Sequence, residues 1–177
     1  MVNFRYTDLY RPAATVCNAG LFDYPYRSCS IMTFDVKIKK LSKNAVIPTY
    51  GSASAAGADL YACLDSALEI PPGETRFVHT GLCAEIPQGF AGLVFARSGL
   101  ACKKDLAPAN KVGVIDSDYR GEIMVAIHNH GKEARFIEPG ERVAQLLIMP
   151  YAAANFIESD ELSDTARGEG GFGSTGK

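Results

Sequence analysis

The chain has 177 residues, 47% of them hydrophobic and 21% charged, which is enough for one compact core and too few for two comfortable domains. Its formal net charge of −2 supplies no general basic field, so nucleic-acid binding is disfavoured and a polyanionic ligand would have to be held by local devices: a metal, a few arginines, backbone N–H groups. No apolar run approaches the length of a membrane span, and the five cysteines (Cys17, Cys29, Cys63, Cys83, Cys102) are scattered without Cys-x-x-Cys or zinc-ligand spacing, so the expectation is a soluble cytoplasmic protein with reduced thiols and no membrane partner.

Residues 1 to 31, rich in Tyr, Arg, Asn and Pro, have neither the apolar core of a signal peptide nor the acid-free composition of a transit peptide. They differ in texture from the patterned stretch that begins at Met32, and are expected to be a disordered appendage or to lie outside a natural start at Met32. A folded domain over residues 32 to 158 follows, then a linker and arm over 159 to 177. From Met32 onward, short alternating or apolar runs are punctuated by turn signals at Pro72-Gly73, Pro87-Gln-Gly89, Gly131-Lys132 and Pro139-Gly140. The rhythm predicts strands at Asp35 to Lys40, Ala58 to Cys63, Thr75 to Leu82, Phe90 to Arg97, Glu122 to His128, Ala134 to Ile137 and Arg142 to Met149. Alternation is clear in Ile123, Val125 and Ile127, whereas Val143 to Met149 is apolar nearly throughout, as in a strand covered on both faces. Only Ser98 to Lys104 looks helical, so an all-β barrel or jelly roll is expected rather than an α/β fold.

Several segments carry candidate chemistry. Asp59, in Ala56-Gly-Ala-Asp-Leu-Tyr-Ala62, is a polar residue entering a strand, a position that suits an edge or turn residue more often than a ligand. In Ala96-Arg-Ser-Gly-Leu-Ala101, Arg97, Ser98 and Gly99 sit at a strand-to-helix transition, where free N–H groups attract anions; Ser98 would serve equally as an N-cap. The loop Asn110-Lys-Val-Gly-Val-Ile-Asp-Ser-Asp-Tyr-Arg-Gly121 places two carboxylates and an aromatic within four residues. Asp116 and Asp118 suit a general base or a metal-shell ligand, but loop aspartates more often hydrogen-bond their own turn, and taken alone the segment favours that reading. Gln145, following Arg142 in an apolar strand, demands a hydrogen-bonding partner. His79, His128 and His130 are assigned no chemistry.

The arm Arg167-Gly-Glu-Gly-Gly-Phe-Gly-Ser-Thr-Gly176 has five glycines between Gly168 and Gly176, so its backbone can approach an anion closely beside Arg167, Gly173, Ser174 and Thr175, while Phe172 is free to cover a flat apolar face. A Gly/Ser-rich terminus taken alone is more often a flexible tail, but a tail needs no Phe172. It nearly spells a P-loop, but no Ser or Thr follows Lys177 and polar sequence precedes Arg167, which argues for a lid rather than a cradle.

Each segment is weak alone, and the five in this order are specific. From Met32 to its end the chain resembles the homotrimeric dUTP diphosphatase (dUTPase) family at residues 56 to 62, 96 to 101, 110 to 121, 139 to 148 and 167 to 176. The resemblance implies a jelly-roll or β-clip trimer whose three active sites are each assembled from all three subunits. It further implies Mg²⁺-assisted hydrolysis of dUTP to dUMP and pyrophosphate, which limits uracil incorporation into DNA and supplies dUMP for dTMP synthesis. On the same ground Asp116 is the general base, and Asn110 with Gly113, Val114 and Ile115 is the hairpin that reads uracil and excludes a 5-methyl group. Tyr119 packs under the deoxyribose. Arg97, Ser98 and Gly99 form a phosphate turn, with Gln145 near the α-phosphate. Asp59 reaches Mg²⁺ through water, and Arg167, Phe172, Gly173, Ser174 and Thr175 belong to an arm that closes on base and γ-phosphate. One departure is Ala96, where the family usually has proline.

Two other readings compete. A dCTP deaminase shares the implied fold, but its glutamate base lies five residues beyond the hairpin glycine, which from Gly121 is Ala126. A binding or signalling module that keeps the fold and nucleotide pocket without turnover is argued against by an intact Asp116 and arm, for which a purely structural jelly-roll trimer would likewise have no use.

Overall fold

The computed structural model describes residues 33–171, so the expectations for residues 1 to 31 and for Phe172, Gly173, Ser174 and Thr175 lie outside the described residues. The chain divides into two units, Met1–Phe34 and Asp35–Lys177, and the second carries all the elements below. It is mostly β with one short helix, as the turn-punctuated pattern implies: β1 Lys37–Lys40, β2 Thr49–Tyr50, β3 Ala58–Tyr61, β4 Leu68–Ile70, β5 Thr75–His79, β6 Leu82–Glu85, β7 Phe90–Ala96, α1 Ser98–Lys104, β8 Leu106–Pro108, β9 Gly113–Ile115, β10 Met124–Asn129, β11 Arg135–Ile137 and β12 Arg142–Pro150.

All strand pairs are antiparallel. The largest sheet runs β2-β3-β12-β7-β9, a second runs β5-β10-β8, and β1-β6 and β11-β4 form two-stranded pairs. In the large sheet β12 is central, between β3 and β7, which is why its apolar run is buried from Val143 to Leu146 apart from Gln145. A register shift between Arg142 and Ala144 turns Val143 and Ala144 inward together, where strict alternation would have exposed one of them. In β10 the alternation persists: Val125, Ile127 and Asn129 are buried, with Ile123 just ahead of the strand. Ile123, Val125 and Ile127 join Leu60, Ile70, Val78, Leu106, Ile137 and Val143 in one core cluster. Buried Asn129 is satisfied by donating to the carbonyls of Ile70 and Glu133 and accepting from Gly131 N–H.

The single strand expected from Thr75 to Leu82 is in fact two, β5 and β6, because the chain turns at Thr80-Gly81. Gly81 has φ 67°, and a Cβ there would stand 2.9 Å from both Ala45 Cβ and Cys63 Sγ. Left-handed backbone and close approach together demand glycine. Gly81→Ala is expected to lower stability by about 2–4 kcal/mol through overpacking added to backbone strain, read as an earlier denaturant midpoint. The strand expectations also missed β2, β4, β8 and β9. Each has only two or three residues, too few to show a period, and is recognisable only by its partner.

Candidate active site

Strand register brings one group of side chains together inside the large sheet. Gln145 on β12 lies opposite Asp59 on β3 and Phe95 on β7, so Arg97, just past the end of β7, reaches the same point. Asp59 is not the edge residue its local sequence suggested, since its side chain is only 4% exposed. A buried carboxylate is costly unless its charge is met. Here Oδ1 accepts from Arg97 Nε at 2.9 Å and Oδ2 from Arg142 Nη1 at 3.1 Å. Gln145 finds its partner in the same carboxylate, donating from Nε2 to Oδ1 at 3.4 Å. Arg97 also donates to the Arg142 carbonyl at 3.3 Å, which fixes its guanidinium at the threshold of α1.

Ser98 is the first residue of the helix rather than its N-cap. Arg97 occupies the cap position with extended backbone and no side-chain cap bond. Among the described residues the N–H groups of Ser98 and Gly99 have no partner, and they follow directly on a positively charged side chain. Such a turn can receive an oxyanion.

A second group gathers on β9 and the turn after it. β9 pairs with β7, Ile115 opposite Gly92 and Gly113 opposite Val94, and its close approach to Val94 and Asn110 depends on Gly113 having no side chain. The tip is tight: Lys111 has φ 64° and Val112 N–H donates to the Asn110 carbonyl at 2.7 Å. Asn110, Gly113, Val114, Ile115, Asp116 and Tyr119 line one cavity of about 240 Å³. Phe77, Glu122, Met124 and Ala126 complete it from β5 and the start of β10. This wall escaped the sequence reading. Its signal was present in Phe77 and Met124, large apolar residues at exposed strand positions directly beside buried Val78 and Val125.

The carboxylates of Asp116 and Asp118 do not bond their own turn. That turn is closed by Tyr119 N–H on the Asp116 carbonyl at 3.1 Å and by Arg120 donating to the carbonyls of Ser117 and Tyr119. Among the described residues neither carboxylate has a hydrogen-bond or ion-pair partner, so both keep their lone pairs for a ligand or water. Asp116 also borders a wider cleft of about 760 Å³ with Asp118, Arg120, Lys37, Glu85 and Tyr151. None of Asp59, Arg97, Arg142 or Gln145 lines either cavity.

Beyond β12 the chain runs exposed through Phe156, Ile157 and Leu162. At Arg167 it curls: Arg167 Nε donates to the Gly170 carbonyl at 2.7 Å and Gly168 N–H to Thr165 Oγ1 at 3.1 Å. None of the three histidines lines either cavity that Asp116 borders. His79 bonds Glu122, and His128 bonds Thr75 and meets His130 edge to face at 4.5 Å. His130 is held below the ordinary imidazole range by desolvation, then by His128 and Lys111.

The dUTPase family model matches residues 43–176. A deoxyuridine 5'-triphosphate nucleotidohydrolase of Desulfitobacterium hafniense is 50% identical over 144 residues, 80% of this chain and 95% of that protein. One from Acinetobacter baumannii is 48% identical over 139 residues, 78% of this chain and 93% of that protein. Among solved structures, a mutant of the phage 80alpha dUTPase superposes with a TM-score of 0.73 at 29% identity, over 81% of this chain and 100% of that one. The Staphylococcus bacteriophage 80alpha dUTPase with dUPNHPP gives a TM-score of 0.71 at 29% identity, over 82% of this chain and 100% of that one.

Proposed function

Since the chain belongs to the dUTPase family, a family of hydrolases of nucleotide metabolism, we propose that it cleaves dUTP to dUMP and pyrophosphate, with Asp116 as general base. The observation that carries this reading is the cavity shared by Asn110, Gly113, Val114, Ile115, Tyr119 and an Asp116 whose carboxylate has no partner among the described residues. About 240 Å³ suits a pyrimidine and its sugar rather than a whole triphosphate, so the phosphates would extend toward an anion-binding turn. Asn110 and the hairpin backbone offer donors and acceptors to the uracil edge, and the close packing of Gly113 leaves the hairpin little room to relax around a 5-methyl group. Tyr119 supplies a face for the deoxyribose.

In the reaction, Asp116 takes a proton from a water whose oxygen attacks the α-phosphorus, and the bond from that phosphorus to the bridging oxygen breaks. Pyrophosphate leaves with that oxygen and dUMP keeps the oxygen of the water. Arg97 with the N–H groups of Ser98 and Gly99 receives phosphate charge, Gln145 orients the α-phosphate and water, and Arg167, Phe172, Gly173, Ser174 and Thr175 close over the nucleotide.

Among the described residues no three His, Cys, Asp or Glu side chains are grouped to hold a metal ion, and both oxygens of Asp59 already accept from guanidinium groups. That donor set fits Mg²⁺ only as a hydrated ion carried mainly by the substrate phosphates, with Asp59 as an acceptor through water. Bound there, Mg²⁺ would neutralise phosphate charge and polarise the phosphoryl oxygens.

The Arg97 group and the Asp116 cavity share no lining residue within one chain, which supports a jelly-roll homotrimer in which one subunit's phosphate turn meets another's base pocket. The setting we infer is cytoplasmic, with dUMP feeding dTMP synthesis and dUTP kept from DNA. No helix among the described residues is long and apolar enough to cross a membrane. The deaminase reading is disfavoured at the cavity wall: Ala126 offers no carboxylate there, and both oxygens of the neighbouring Glu122 are engaged.

The test is release of pyrophosphate and dUMP from dUTP with Mg²⁺, beside dCTP, dTTP and UTP. Failure to hydrolyse dUTP, or release of ammonia from dCTP, would overturn the reading. A chain ended before Arg167 is expected to keep its oligomeric state and lose about 10²-fold or more in kcat/KM, as loss of transition-state donors implies. Unchanged kinetics would remove the arm from the mechanism.

A further inference from the structure

We propose that Glu122 is a positioning residue, whose carboxylate clamps the β5–β6 turn onto the start of β10 and thereby holds the Tyr119 ring in the cavity wall. The carboxylate is fully used. Oε2 meets His79 Nδ1 at 2.8 Å, and Oε1 accepts Gly81 N–H at 2.8 Å, at the very turn whose positive φ and crowding require glycine. The backbone of the same residue holds the tyrosine, Tyr119 Oη donating to the Glu122 carbonyl at 3.0 Å. The ring also lies directly over Gly121, where a Cβ would overlap Tyr119 Oη and stand 2.6 Å from Cζ. Residues 121 and 122 are therefore the bed on which the ring rests, and a shift of this backbone moves the ring.

Further along, the seam is closed by groups other than this carboxylate: Ile123 N–H donates to the Leu82 carbonyl at 2.8 Å and Thr80 Oγ1 to the Ile123 carbonyl at 2.5 Å. At residue 122 itself the side chain makes the tie. With 20% of its surface exposed against 53% for His79, Glu122 is the more sheltered partner, and its loss leaves the Gly81 N–H without an acceptor. Glu122 borders the same cavity, but both of its carboxylate oxygens are engaged by His79 and Gly81, so its influence on the sugar runs through Tyr119.

The kinetic arm of the test rests on the dUTPase reading, and the spectroscopic arm does not. Full-length wild type, Glu122→Ala and Glu122→Gln are labelled with 3-fluorotyrosine, the Tyr119 resonance is assigned with Tyr119→Phe, and kcat/KM is measured for dUTP and UTP. Glutamine can still accept from Gly81 N–H and meet His79. The alanine variant is expected to shift the Tyr119 resonance and narrow the preference for dUTP over UTP by about fivefold, the loss that one to two hydrogen bonds implies, whereas the glutamine variant retains both. An unmoved resonance or an unchanged dUTP preference in the alanine variant overturns the proposal, as does equal impairment of the glutamine variant. A wild type inert toward dUTP sinks the dUTPase reading instead, and the resonance alone then decides. Should Glu122→Ala fail to fold, His79→Ala, which removes one of the two side-chain ties, is judged by the same criteria.

Discussion

Replacing Asp116 by asparagine is expected to lower kcat for dUTP by about 10²–10⁴-fold, the range that a positioned general base supplies, while dUTP binding stays within about threefold. Asparagine keeps the shape of the side chain and loses the basic oxygen. Because no described residue bonds the Asp116 carboxylate, the substitution strands no partner, and the turn keeps its closure by Tyr119 N–H and Arg120. Stability should therefore hold, which separates this variant from those that fail by unfolding. Single-turnover kinetics with equilibrium nucleotide binding make the measurement, and a fully active Asp116→Asn protein would move the base elsewhere.

The second large effect is expected at Asp59, with the opposite signature. Asp59→Ala removes the acceptor of two guanidinium groups and an amide from the interior of the five-stranded sheet. Breaking a buried ion pair by deleting one partner costs about 3–5 kcal/mol; since Arg142 is half-exposed and water can reach it, about 2–4 kcal/mol is expected here. Denaturant unfolding at fixed protein concentration reads this loss. Turnover should fall as well, because Arg97, released from Asp59, no longer points reliably at a phosphate. Asp59→Asn, which keeps an acceptor and the packing volume, should recover part of the stability. Wild-type stability in Asp59→Ala would mean that the clamp contributes nothing.

These contrasting residues show what could be read locally. The β class of the fold was legible because period-two alternation, as in Ile123, Val125 and Ile127, imposes a buried face wherever the strand lies. α1 was expected at Ser98 to Lys104 and forms there as seven residues, closed by Asp105 in the left-handed region. The hairpin segment Gly113–Ile115 was read as loop, since its strand character exists only through β7. Asp59 was misjudged as an edge residue because its compensation comes from Arg97 and Arg142, 38 and 83 positions along the chain.

What the amino-acid order determined by itself was the kind of backbone and the chemistry carried by each segment: short strands, glycine at turns that admit no side chain, and carboxylate, guanidinium and aromatic groups in blocks that resemble one family. Dihedral preference and side-chain chemistry are properties of neighbouring residues, so they can be read in a line. Which carboxylate is buried and neutralised, as Asp59 is, and which is left with open lone pairs, as Asp116 is, was decided only when strand register set distant residues face to face. Burial and charge pairing depend on separations in space, and the chain order does not contain those until the sheets have formed.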